Sequence, residues 1–153
     1  MRLDTRRTGE AIAAAAGHLA RIWRQARAEA WPAVFPGVLD GVVEPFLARV
    51  GEALATGQDP AAVWQGLVGI ARLDRAQDGR AEEAMHGEWR LLGEVLAAAA
   101  EALGADAESA DLAARAVEEG RRGTAALREG PRPAGVLVVR LLSGLRPRAV
   151  GPR

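Results

Sequence analysis

Glu83-Ala84-Met85-His86 is the one short stretch whose residue types and spacing match a metal chemistry. Residues three apart share a helix face, and ferritin-like di-iron proteins use a glutamate and a histidine at that spacing on paired helices. One copy supplies two weak ligand candidates, Glu83 and His86. A second copy from a homodimer partner, with bridging carboxylates from Glu52 or Glu94, is needed to complete such a centre. The competing reading is a surface glutamate beside an interfacial histidine. The other histidine, His18, lies in an alanine stretch, where core or interface packing is the expectation and haem ligation would require a pocket. The flanks of His86 do not resemble a kinase phospho-acceptor box.

Other chemistries are removed by composition. The 153 residues contain no cysteine, so there is no disulfide, no thiolate nucleophile and no cysteine-ligated zinc or iron-sulfur site. No Ser-His-Asp order presents itself, no glycine-rich phosphate loop follows a strand, and the eighteen glycines are scattered singly as helix stops and close-packing points. The expectation is no enzyme, no catalytic residue and no cofactor.

The elements that must position these residues read as helices. Alanine, leucine, arginine and glutamate dominate, as in an Ala-rich bundle. A first helix opens near Asp4 or Thr8 and runs through Leu19, Ile22, Trp23 and Ala26 until Pro32 and Pro36 end it. A second covers about 37–55, with Val38, Val42, Phe46, Val50 and Leu54 every four residues. Pro45 predicts a kink or break inside it, and Thr56-Gly57-Gln58 a stop. Asp59-Pro60 restarts helix as cap and first-turn proline. The third helix, about 60–78, aligns Val63, Leu67, Ile70 and Leu73 and ends at Gly79. The fourth, about 80–103, aligns Met85, Trp89, Leu92, Leu96, Ala99 and Leu103. After Gly104, Asp106 or Ser109 caps a fifth, weakly amphipathic helix expected at the edge of the bundle.

Charge divides the chain in two. All twenty basic residues are arginine, for which a GC-rich coding bias is the expected reading and selection for bidentate anion binding the alternative. Residues 1–120 hold twelve arginines against nineteen acids, whereas residues 121–153 hold eight against Glu129 alone, so a body of charge −7 precedes a tail of +7. From Pro131 the tail is Pro/Arg-rich and apolar, with Val136 to Leu145 almost wholly aliphatic. Aliphatic interleaving argues against nucleic acid, which wants aromatic or polar neighbours. It suits a protein groove, an anionic membrane surface, or the bundle of its own chain or dimer mate. The charged N-terminus is no convincing signal peptide, and nothing approaches the roughly 20 apolar residues that span a bilayer, so a cytoplasmic home is expected.

One segment carries a resemblance. Arg75 stands four residues before Gly79, and nine residues after Gly79 comes Glu88-Trp89-Arg90-Leu91-Leu92. This resembles the helix-ending Arg-x-x-x-Gly and the Glu-Tyr-Arg-x-Leu of the N-terminal sensory domain of the RsbRD and RsbT co-antagonist type. Ser109 to Glu129 looks like that family's exit helix, and the resemblance covers about residues 20–128. The histidine often found just upstream of Arg-x-x-x-Gly is Ala71 here. In the helix after Gly79, Glu88, Arg90 and Leu92 are suited to bracing a neighbour, with Arg75 and Glu88 as one such brace; the bland reading leaves Glu88 and Arg90 solvated.

The expectation is an all-α bundle of five or six helices over residues 1–130, with a basic-apolar tail over 131–153. The Ala-rich fourth and fifth helices offer smooth faces for a homodimer. The resemblance implies a stand-alone bacterial signalling domain, sensory or scaffold, of the stress-response type. It would act in trans on a kinase, phosphatase or STAS protein, with Arg75, Gly79, Glu88, Trp89, Arg90 and Leu92 as its structural and interaction residues. The alternative is a small ferritin-like oxidase built on Glu83 and His86.

Overall fold

Asp4 opens the first helix because its carboxylate accepts the Arg7 N–H at 2.8 Å, satisfying a donor that no helical carbonyl can reach. In the computed structural model, which describes residues 2–31, 39–67 and 79–128 (backbone only at 79–82 and 127–128), α1 spans Thr5–Ala30. Its buried stripe is Ile12, Ala16, Leu19, Ala20 and Trp23.

The second helix, α2, is shorter than its apolar repeat suggests, spanning Val43–Thr56. Pro45 causes no mid-helix kink because it is the third residue of α2, inside the first turn, where an N–H would have no helical acceptor. Before it, the Val42 and Val43 N–H groups fold back onto the Leu39 carbonyl at 2.8 and 3.1 Å, a turn in place of the expected helix. Val42, Phe46, Val50 and Leu54 of the repeat are all buried; Val38 lies outside the described residues. Gly57 ends α2 at φ 76°.

Asp59 then caps a 3₁₀ turn, Pro60–Ala62, by accepting the Ala61 N–H at 3.0 Å, and α3 continues as Val63–Leu67. The expected course of that helix to residue 78 lies outside the described residues. Gly79 does not follow a described helix as its stop; it is the first residue of α4, Gly79–Leu103. Gly104 at φ 72° closes α4, and of the two candidate caps Asp106, not Ser109, opens α5, Ala107–Arg128, accepting the Ser109 N–H at 2.8 Å. Leu3 bonds to Gly104 and Asp106, which ties the start of the chain to the α4–α5 turn.

The result is an all-α bundle of five helices and one 3₁₀ turn among the described residues. α1 packs between α2 and α4, α4 between α1 and α5, and α5 closes the ring on α3 and the 3₁₀ turn, which rest on α2. At the centre, Trp89 meets Phe46 (5.2 Å between centroids) and Trp64 (5.5 Å), both edge-on. α5 is no frayed edge. It buries Ser109, Ala113, Ala116, Val117 and Thr124, and its glycines take up large rings. The helix looks weakly amphipathic because its core-facing residues are small, while the bulk that fills its interface comes from Trp64 and Trp89. The division at residue 130 and the tail lie outside the described residues.

Candidate functional site

Glu88 sits where a solvated reading would not put it, only 1% exposed. A buried carboxylate costs several kcal/mol, on the order of 2 or more, unless its oxygens accept hydrogen bonds. Glu88 Oε1 accepts the Leu39 N–H at 2.8 Å, and its own carbonyl accepts the Trp23 indole N–H at 3.0 Å. This residue therefore braces α4 against α1 and against the turn that leads into α2. Arg75, the brace partner expected from the sequence, lies outside the described residues.

Trp89, next along, is fully buried; its indole N–H donates to Thr124 Oγ1 at 3.0 Å, and that hydroxyl donates to the Gly120 carbonyl at 2.8 Å. Leu92 is fully buried as well. Arg90 alone of the group is exposed, in keeping with its solvated reading. The pentapeptide thus splits into three inward anchors, a half-buried Leu91 packed against the core and one outward cation.

Sequence reasoning missed a second buried ionic residue. Arg27 is 3% exposed, pairs with Asp40 (Nη2 to Oδ2 3.5 Å) and stacks its guanidinium over Trp23 at 5.7 Å. The legible signal was the four-residue spacing from Trp23, which stacks one side chain above the other on a helix.

On the outer side, α4 and α5 form an open groove of about 810 Å³. Glu83, His86, Gly87, Arg90 and Gly93 line it from α4, and Val117, Glu118 and Arg121 from α5. Trp31, just past α1, walls one side. Its ring lies so close to Gly87 that a Cβ there would stand 2.7 Å from Cζ2 and Cη2. Arg121 grips Glu118 with two donors, Nε to Oε2 at 3.0 Å and Nη2 to Oε1 at 2.5 Å, and places Nη1 3.4 Å from His86 Nδ1. Hydrogen bonding by Arg121 holds the Glu118 carboxyl below its ordinary value, with Arg122 adding to the effect, and Glu118 in turn raises Arg121. A guanidinium has no acceptor, so this contact is a hydrogen bond with His86 Nδ1 as the acceptor, in the tautomer that carries its proton on Nε2.

Within one chain and among the described residues, the groove gathers no metal centre. Glu83 is exposed at its rim, His86 Nδ1 is occupied by Arg121, and no three His, Cys, Asp or Glu residues come together to hold a metal among the described residues. Glu52 and Glu94 are exposed and do not join Glu83 and His86. His18 is exposed on α1, not packed in the core of its chain.

Farther along the same two helices a smaller groove of about 220 Å³ is lined by Leu96, Ala97, Ala100, Ala110 and Ala114. Arg2, Glu101 and Asp106 also line it. No helix among the described residues is long and apolar enough to cross a membrane. No protein-family model matches the chain, and no curated protein or solved structure is significantly similar to it.

Proposed function

We propose that this chain is a non-enzymatic bacterial signalling module of the RsbRD type, sensory or scaffold, that changes the state of a regulatory partner through helix packing. The observation that supports this most is the buried brace at Glu88. It lies within the pentapeptide that carries the resemblance, and it couples α4 to α1 and to the α2 turn through directional bonds. Directional bonds inside a close-packed core favour discrete arrangements over continuous deformation, which is what a relay requires. Arg90, pointing outward from the same five residues, offers a contact for the partner.

The partner in this reading is a kinase, phosphatase or STAS protein of the cytoplasm, bound by a homodimer that forms over the alanine face of α4 and α5. Affinity capture from the native cell extract tests it, with the full chain and a Glu88→Ala variant as baits. Retention of one of those partner classes by the full chain, reduced with the variant, supports the reading. Recovery of the chain alone overturns it, and stoichiometric iron in the purified protein that is lost in Glu83→Ala or His86→Ala would favour the ferritin-like oxidase instead.

A further inference from the structure

Arg121 carries five N–H donors, and its described contacts use three, two on Glu118 and one on His86. Two remain, on a guanidinium held in one orientation by those same contacts. One turn along α4 from His86 stands Arg90, exposed, with no ion pair or hydrogen bond among the described residues. His86 adds the Nε2–H that its tautomer leaves. The groove's two carboxylates do not cancel these donors. Glu118 is engaged by Arg121 and Arg122, which leaves Glu83, an exposed carboxylate of the lining, against the donors of Arg90, Arg121 and His86. Unused hydrogen-bonding capacity along the groove is therefore dominated by donors, the whole planar fork of Arg90, which matches the oxygens of a carboxylate or phosphate, and the two N–H groups that Glu118 and His86 leave on Arg121.

The rest of the lining is flat and apolar. Trp31, whose ring covers Gly87, and Val117, which lies against Gly93, supply its apolar surface. The volume of about 810 Å³ lies within the roughly 300–1,000 Å³ of small-molecule sites.

We infer that this groove binds a small organic oxyanion on a flat apolar body, the charge meeting Arg90 and Arg121 and the body lying against Trp31. This names the signal class for the proposed sensory role and rests on that reading for its purpose, although binding itself needs no partner. Titration calorimetry on the full chain tests it with 2-naphthoate, 1-naphthyl phosphate and the neutral 2-naphthamide. Expected is saturable binding of at least one anion at one site per chain, with the amide about tenfold weaker or more. Arg90→Gln, a change at an exposed position that leaves the core intact, weakens the anion by a similar factor, and Arg90→Lys falls between because it keeps the charge and loses the fork. Whichever anion binds more tightly identifies the headgroup. Failure of both anions to saturate, equal binding of the amide, or an Arg90→Gln variant that binds unchanged overturns the site. Each of these outcomes is independent of whether the capture experiment retains a partner.

Discussion

The α1–α2 interface and the seat of α5 on α3 and α4 both depend on glycine, for opposite reasons. At the first, Gly9 and Gly51 lie face to face. A Cβ on Gly9 would collide with the Ala55 nitrogen and the Gly51 carbonyl, and one on Gly51 with the Ala13 nitrogen and the Gly9 carbonyl. Backbone meets backbone there, so nothing soft can yield. At the second, the space above Gly120 and Gly123 is filled by the rings of Trp89 and Trp64. A ring is a side chain and can be trimmed. The first interface is a rigid seam of two helices, and the second a fitted joint whose shape is set by two tryptophans.

The strongest way to break that contrast is to add bulk at the seam. Gly51→Val is expected to cost about 3 kcal/mol or more, since the two helices must separate and no rotamer change relieves the clash. In a domain of ordinary stability, about 5–15 kcal/mol, this is a large lowering of the urea midpoint followed by far-UV circular dichroism. No shortening of a side chain on α1 should restore it; rescue by Ile12→Ala or Leu19→Ala would show that the contact is not backbone on backbone.

Glu88 joins the two regions, because it links α4 to α1 through Trp23 and to the entry of α2 through Leu39. Glu88→Ala leaves the buried Leu39 N–H without that acceptor and is expected to cost about 2 kcal/mol. Glu88→Gln keeps a side-chain oxygen at the site and should lose less. Equal losses for the two variants, measured by equilibrium unfolding, would mean that the Leu39 bond is not what holds α4 in place.

The fitted joint makes a sharper prediction. Gly120→Ala gains about 1 kcal/mol of helix propensity and is expected still to lose about 1 kcal/mol net, because Trp89 is pinned by Thr124, Phe46 and Trp64 and cannot turn aside. In a Trp89→Phe background the shorter ring leaves room, and the same substitution should become neutral or stabilising. The double-mutant cycle is expected to show coupling of about 1 kcal/mol or more. Additive losses would remove the contrast between the two interfaces.

These two regions also differ in how much the amino-acid sequence announces. Apolar repeats placed α1, the core face of α2 and the stripe of α4 because each carries large side chains at helical spacing, and Asp4, Gly57 and Gly104 marked ends through capping and left-handed turns. α5 was harder to read. Its inward face is Ser109, Ala113, Ala116, Val117, Gly120 and Thr124, small residues and one valine that hydrophobic periodicity barely distinguishes from a solvent face. Pro45 misled for a related reason: a proline in a long apolar repeat reads as a kink until the start of the helix is known. At the candidate groove, Glu83, His86 and Arg90 share a legible stripe. Trp31 and Arg121 come from other elements, and local spacing carries no information about which distant residue will face it. Glu88 stood out as a brace, yet its acceptor role toward a backbone N–H has no sequence signature at all.

The smallest expected effect concerns the ends of α5 and acid. Asp106 accepts both the hydroxyl and the backbone N–H of Ser109, at 2.6 and 2.8 Å, and these bonds, with the Arg2 charge adding to them, hold its carboxyl below the ordinary 3.8. A carboxyl lowered in the folded state binds fewer protons than its unfolded counterpart, so stability rises with pH across this range. The contribution is fully present above about 3.8, the unfolded value, and drains away as pH falls through the lowered folded value. Asp106→Asn keeps an oxygen for the cap and cannot ionise, so its urea midpoint between pH 6 and about 2.5 should fall less steeply than that of the parent chain. Glu118, lowered chiefly by Arg121 but two-fifths exposed, should add a weaker trend of the same sign that Glu118→Gln removes. Parallel acid limbs for the parent and Asp106→Asn would show that the cap is held as firmly by the neutral acid as by the carboxylate, and that the joint end of the molecule responds to packing alone.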